Sequence, residues 1–223
     1  MTTTATILKG LTALLVALQI LPGASSGTPE ISRLGTLTPK PVVEQAPLDI
    51  DVEDPGWTAT IEWAVARYES VGLDLPAATV TLHDDPVACK GASGLYVRGD
   101  VPEIRLCANT EPDSRIARLI VLHELGHLWA EGTLTGPEKQ ALLDLRGLEV
   151  WADSDHPTHK WGAEHAAEIL SWGLMDESVR IIRIYDTTPD LLSEAWLLLV
   201  GRPALTPAAS IAPAAMTIGG NPD

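Results

Sequence analysis

The five residues His123-Glu124-Leu125-Gly126-His127 constrain this chain more than any other part of it. Two histidines four residues apart lie on one face of an α-helix, one turn above the other, so both imidazoles can point at a single metal ion. Glu124 sits beside the first of them, where its carboxylate can reach a water on that ion without binding the ion itself. The surrounding sequence predicts a helix over about residues 111–131. Thr110 and Asp113 resemble a capping box, Pro112 suits the first turn, and Gly132 supplies a stop. His123 and His127 continue an apolar stripe of Ile116, Leu119 and Ile120. Both are therefore expected to face the interior, where an imidazole needs a partner.

A catalytic zinc needs a third protein ligand and an open fourth position. The extended motif that adds a glycine and a third histidine is excluded, because those positions hold Ala130 and Thr133. The best source of the ligand is the stretch Trp161-Gly162-Ala163-Glu164-His165-Ala166-Ala167-Glu168. Glu164 and Glu168 are again four apart on an expected helix, and Ala166 and Ala167 are small enough to let that helix come close to the histidine helix. One carboxylate can bind the metal, and the other can accept the outer N–H of a ligating histidine and fix its orientation.

The pair of motifs, HExxH followed by ExxxE on a later helix, resembles the gluzincin class of zinc metallopeptidases, of which the thermolysin type is the familiar form. The resemblance implies that Glu164 is the third ligand and Glu168 the acid behind a histidine, although the exchanged assignment stays open. Thermolysin-type enzymes carry Asp at the second position, so Glu168 is a departure, and its longer side chain asks for a slightly wider spacing. The resemblance covers the two motifs and the order of the helices between them, not the whole chain. It also implies a zincin-like sheet whose edge strand pairs with extended peptide substrate. Residues 95–98 or 103–107 are the candidates for that strand.

The remaining elements follow from local signals. Asp54-Pro55 is an N-cap followed by a first-turn proline, which predicts a helix over 55–70 closed by Gly72. Thr79–His83 alternates as a strand does, and Gly94–Arg98 and Glu103–Cys107 read as a hairpin joined by Gly99-Asp100-Val101-Pro102. Further helices are expected from Pro137 to Glu149, from Gly162 to Trp172 with Gly173 as its stop, and from Pro189 to Val200 capped by Thr188. Strands followed by helices, without alternation, give an α+β class: a small zincin-like domain with a short mixed sheet and hairpin, then the HExxH helix and further helices.

Residues 1–26 read as a secretory signal, with Lys9, an apolar run over Leu11–Leu21, and small residues at Ala24-Ser25-Ser26. That run is too short for a comfortable membrane span, so no stable insertion is expected after cleavage. Residues 27–54, with Pro29, Pro39, Pro41 and Pro47, read as a flexible linker. The folded domain is expected over 55–202 and an Ala/Pro-rich tail over 203–223. The two cysteines, Cys89 and Cys107, are expected to form a disulfide in an exported chain. The formal net charge of −15 repels phosphate backbones and sets nucleic acid aside.

These residues point to a secreted, zinc-dependent hydrolase of peptide or protein substrates. Zinc on His123, His127 and Glu164 activates water, and Glu124 serves as general base. Two other readings compete: a secreted module in which zinc only stabilises the fold, and a zinc amidase acting on cell-wall peptides. For the residue that steadies the oxyanion, the sequence offers His156, His159 and Tyr185 without ranking them. His165 lies on a different helical face from Glu164 and is not expected to bind metal. Trp151, Trp161 and Trp172 are expected in the core or a cleft wall.

Overall fold

The structure is a computed structural model and describes residues 48–175, 184 and 188–205. The expected export signal, residues 27–47 of the expected linker, Tyr185 and residues 206–223 lie outside them.

Four strands make one mixed sheet: β1 (Asp49–Asp51), β2 (Thr79–His83), β3 (Gly94–Val97) and β4 (Glu103–Cys107), in the order β1-β2-β4-β3. β1, β2 and β4 are parallel, and β3 alone runs antiparallel, paired with β4 at one edge. Of the two stretches expected to offer an edge, 103–107 is thus interior, and only the 94–97 strand has an open side. β1 falls inside the stretch read as linker. Its three residues carry no pattern of their own, but they pair with β2 and place Ile50 beside Val80.

Strand alternation sorts the sheet into a polar and an apolar face. Thr79, Thr81, His83, Glu103 and Arg105 share the outer face, where Thr81 donates to Glu103 and Arg105 binds the same carboxylate through Nε and Nη2. The inner face carries Ile50, Val80, Ile104 and Tyr96 in one row, and Leu82, Leu106 and Gly94 in the next, as the register dictates. Val80, Ile104 and Leu106 are fully buried there under the helices.

Five helices complete the described fold: α1 (Pro55–Ser70), α2 (Arg115–Thr133), α3 (Gly136–Arg146), α4 (Gly162–Leu174) and α5 (Pro189–Val200). α1 and α5 start where their caps predict, with Asp54 accepting from Trp57 N at 2.9 Å and Thr188 from Leu191 N at 3.5 Å. α2 begins later than expected. Its N-cap is Ser114, whose Oγ accepts from Ala117 N at 3.1 Å, while Asp113 is left-handed with φ 62°. Asp113 is held in that conformation from outside the helix, since its N–H donates to the Thr60 hydroxyl of α1. Gly132 and Gly173, expected as stops, lie inside α2 and α4. Each leaves room for a neighbour: Pro76 packs on Gly132, and the Trp196 indole on Gly173.

Trp57, Trp172 and Trp196 fill the centre of the core in place of phenylalanine, which the chain lacks. The core face of α2 is Ala117, Val121, Leu122, Leu125, Leu128 and Trp129, not the stripe through Ile116. Ile116 is 60% exposed, and Leu119 and Ile120 are half-buried. α2 is covered by β3 and β4, α1 and α4, and the strip through 116 and 120 falls outside that cover. Cys89, in a short 3-10 turn over Pro86–Cys89, forms a disulfide with Cys107 at the end of β4.

Candidate metal centre

The site exists because α2 and α4 approach very closely. A Cβ on Gly126 would stand 2.8 Å from Ala167 Cα and 3.2 Å from the Tyr68 hydroxyl. That hydroxyl instead donates to Leu122 O at 2.8 Å, tying α1 to the same turn. Ala166 and Ala167 are fully buried in the contact. With only glycine and alanine between the backbones, short side chains can meet across the gap.

His123 and His127 project from α2 and are 5% and 9% exposed. Their Nε2 atoms are 3.1 Å apart. Glu164, in the first turn of α4, sends one carboxylate oxygen to each: Oε2 lies 3.4 Å from His123 Nε2, and Oε1 lies 3.4 Å from His127 Nε2. One ligand atom from each of the three side chains falls within 4.8 Å of the others. Buried together, these residues could hold a metal ion. Glu168, one turn further along α4, takes a different place. Its Oε1 is 3.5 Å from Nδ1 of His123, the ring atom that faces away from the cluster.

The electrostatics follow from this crowding. Burial pushes the His123 imidazolium down, but the Glu164 hydrogen bond and the charges of Glu168, Glu124 and Glu164 outweigh it and raise the pKa above the ordinary value. Burial likewise raises the Glu164 carboxyl, yet hydrogen bonds and charge from His123 and His127 hold it far below the usual carboxylate range. The ionised Glu164 carboxylate offers its charge to a cation, which would bind the imidazoles in their neutral form and release their protons.

β3 lies along α2 and lines the site. Gly94 faces Glu124, and the Tyr96 ring lies nearly parallel to the His127 ring, with centroids 6.1 Å apart. Arg98, just past the strand, donates to Glu131, one turn beyond His127, at 2.5 Å. Glu131 also accepts from Lys139 of α3 at 3.1 Å and from the Trp151 indole at 2.8 Å. Sequence reasoning placed Gly94 and Tyr96 in a strand, with 95–98 a candidate edge for substrate, but gave the side chains at 94, 96 and 131 no part in the site. The spacing of 94, 96 and 98 against 124, 127 and 131 was the available signal, but it has meaning only once strand and helix are known to be neighbours.

Glu124 is 4% exposed, and no hydrogen bond to its carboxylate is found among the described residues. His156 pairs with Asp153 at 3.2 Å, and neither His156 nor His159 joins the three-residue cluster. His165 accepts from Arg146 Nε at 3.2 Å and contacts His159 O through Nε2 at 3.1 Å, so it knits α3 and the turn before α4 to the ligand helix. Trp172 is in the core, while Trp151 packs on Gly162 and Trp161 donates to His156 O, both next to the first turn of α4. No family model, curated protein or solved structure matches this chain.

Proposed function

We propose that the protein is a secreted zinc metallopeptidase of the gluzincin kind, with His123, His127 and Glu164 as metal ligands and Glu124 as general base. The observation that carries this reading is the convergence of three ligand atoms beside a buried carboxylate, Glu124, that has no hydrogen-bond partner among the described residues. Two imidazoles and one carboxylate suit a catalytic zinc, which keeps a position open for substrate or water. Zinc held there supplies Lewis acidity that polarises a carbonyl and brings the pKa of water towards neutrality.

The chain's own groups account for the rest. Glu124 takes a proton from the attacking water and passes it to the leaving amine. Glu168 lies against the outer nitrogen of the His123 ring and would fix its orientation, leaving Nε2 free to bind a metal. The open side of β3 offers backbone N–H and C=O groups to an extended peptide, which supports a peptide substrate over a small amide. The mixed sheet with its β3–β4 hairpin agrees with the α+β class expected from the order of the elements.

The reading of zinc as a purely structural ion is less well supported. Structural sites are closed by four protein ligands, and both cysteines are committed to a disulfide. Export is supported by that disulfide, which persists in oxidising compartments. Among the described residues no helix is long and apolar enough to cross a membrane.

Elemental analysis of the purified protein tests the proposal, with wild type beside Glu164→Ala and Glu124→Gln. One equivalent of zinc in wild type and in Glu124→Gln, with none in Glu164→Ala, is expected. Peptide turnover by wild type and its loss in Glu124→Gln complete the case. Absence of zinc from the wild type would end it.

A further inference from the structure

The geometry points to Gly94 as the positioning residue for Glu124: the side chain missing at the start of β3 is the space that the Glu124 carboxylate occupies. This rests on the reading of Glu124 as general base. The strand register turns Gly94 towards the helices, in the same row as Leu82 and Leu106. A Cβ built on Gly94 would lie 2.7 Å from Glu124 Cγ, 2.7 Å from Oε1 and 2.9 Å from Cδ. All three atoms belong to the Glu124 side chain and none to the backbone.

Conformational need does not explain this glycine. Gly94 is not among the residues with positive φ, which are Gly72, Gly91, Gly147 and Gly201 among the glycines. Any L-residue can adopt its backbone, so the reason for glycine is room. Two fixtures also hold the strand still at this point. Gly94 pairs with Leu106, and Cys107 N donates to the carbonyl of Ser93, the residue before Gly94, at 2.9 Å. The Cys89–Cys107 disulfide anchors the same β4 residue. An added methyl therefore meets a fixed strand on one side and a rotatable carboxylate on the other, and the carboxylate is the part that moves.

Moving it matters because proton transfer depends on hydrogen-bond reach, and a misplacement of about 1 Å can cost about 100-fold in rate. Gly94→Ala should leave the fold and the three metal ligands in place while shifting Glu124 away from them.

The test compares crystal structures and zinc content of wild type, Gly94→Ala and Glu124→Gln, with kcat and KM measured on a mixed-sequence fluorescence-quenched peptide library. The expected result for Gly94→Ala is a displaced Glu124 carboxylate over an unmoved β3, one equivalent of zinc, an unchanged KM and a kcat reduced about 100-fold. A carboxylate that stays put while β3 shifts, a loss of zinc, or a wild-type kcat would each overturn the assignment. If Glu124→Gln keeps full turnover, the general-base reading fails and Gly94 falls with it. If Glu124→Gln is inactive and Gly94→Ala is fully active, only the Gly94 assignment fails.

Discussion

Nδ1 of His123 lies 3.5 Å from the Glu168 carboxylate, while Nε2 of the same ring lies 3.4 Å from Glu164. One imidazole is thus held between two acids from successive turns of α4, and the two acids cannot do the same thing. Removing the one on the cluster side should abolish zinc binding. Glu168→Ala should instead weaken it about 10- to 100-fold with one equivalent still bound at saturation, as is usual for a partner behind a ligand. Competition against a chromophoric chelator measures both, and equal losses in the two variants would show that the acids share the ion.

Gly126 is where α2 and α4 touch. Gly126→Ala gains helix propensity of about 1 kcal/mol. It also drives a methyl to 2.8 Å from Ala167 Cα, a backbone atom that cannot rotate away. Overpacking of this kind costs about 1–3 kcal/mol, so a net loss of stability is expected. Zinc affinity should fall with it, since the helices that carry the ligands are pushed apart. Urea denaturation of the zinc-free protein reads the first effect, and a higher midpoint than wild type would refute it.

Burial alone would raise the Glu131 carboxyl. Hydrogen bonds from Trp151 and Lys139, with the charges of Lys139 and Arg98, outweigh burial and hold its pKa below the ordinary value. A depressed carboxyl stabilises the fold above its unfolded pKa of about 4.3, and the contribution is lost as pH falls through the lower folded value. Wild type should therefore lose stability between neutral pH and about pH 3 more steeply than Glu131→Gln. Thermal melts of the two across that range check the slopes; parallel curves would remove Glu131 from the acid response.

The disulfide closes a loop with a sequence separation of 18. Chain-entropy reasoning gives such a crosslink about 3 kcal/mol. The variant Cys89→Ser/Cys107→Ser should unfold at correspondingly lower urea concentration, and wild type in reductant should match it. A wild type insensitive to reductant, with both thiols shown free, would mean that the bridge adds nothing.

The sequence disclosed those parts of the fold whose cause is local. Asp54-Pro55 and Thr188-Pro189 set the starts of α1 and α5 because a cap and a first-turn proline act within four residues. The histidine pair and the Glu164–Glu168 pair were visible because helical spacing alone puts each on one face. The start of α2 was not, since the expected capping pair, Thr110 and Asp113, lies before the observed N-cap Ser114, and a hydrogen bond to Thr60 of α1 settles the conformation of Asp113. Glycines misled most. Gly132 and Gly173 look like helix stops, yet each is the clearance for a side chain from elsewhere in the fold. Gly94 and Gly126 hold the same secret, and it can be told only in three dimensions.

β1 is only three residues long, yet it has a bearing on how the protein can be shortened. It covers the outer side of β2, with Asp49 N bonded to Ala78 O at 2.9 Å. A form trimmed to begin at Pro55, the first residue of α1, would leave Thr-Val-Thr-Leu-His with a row of bare amide and carbonyl groups. Such an uncovered rim invites a strand from another molecule and seeds association. The smallest version that stays monodisperse is thus expected to start no later than Leu48, so that the rim opposite the one beside Glu124 is the three-residue β1 and not the five-residue β2.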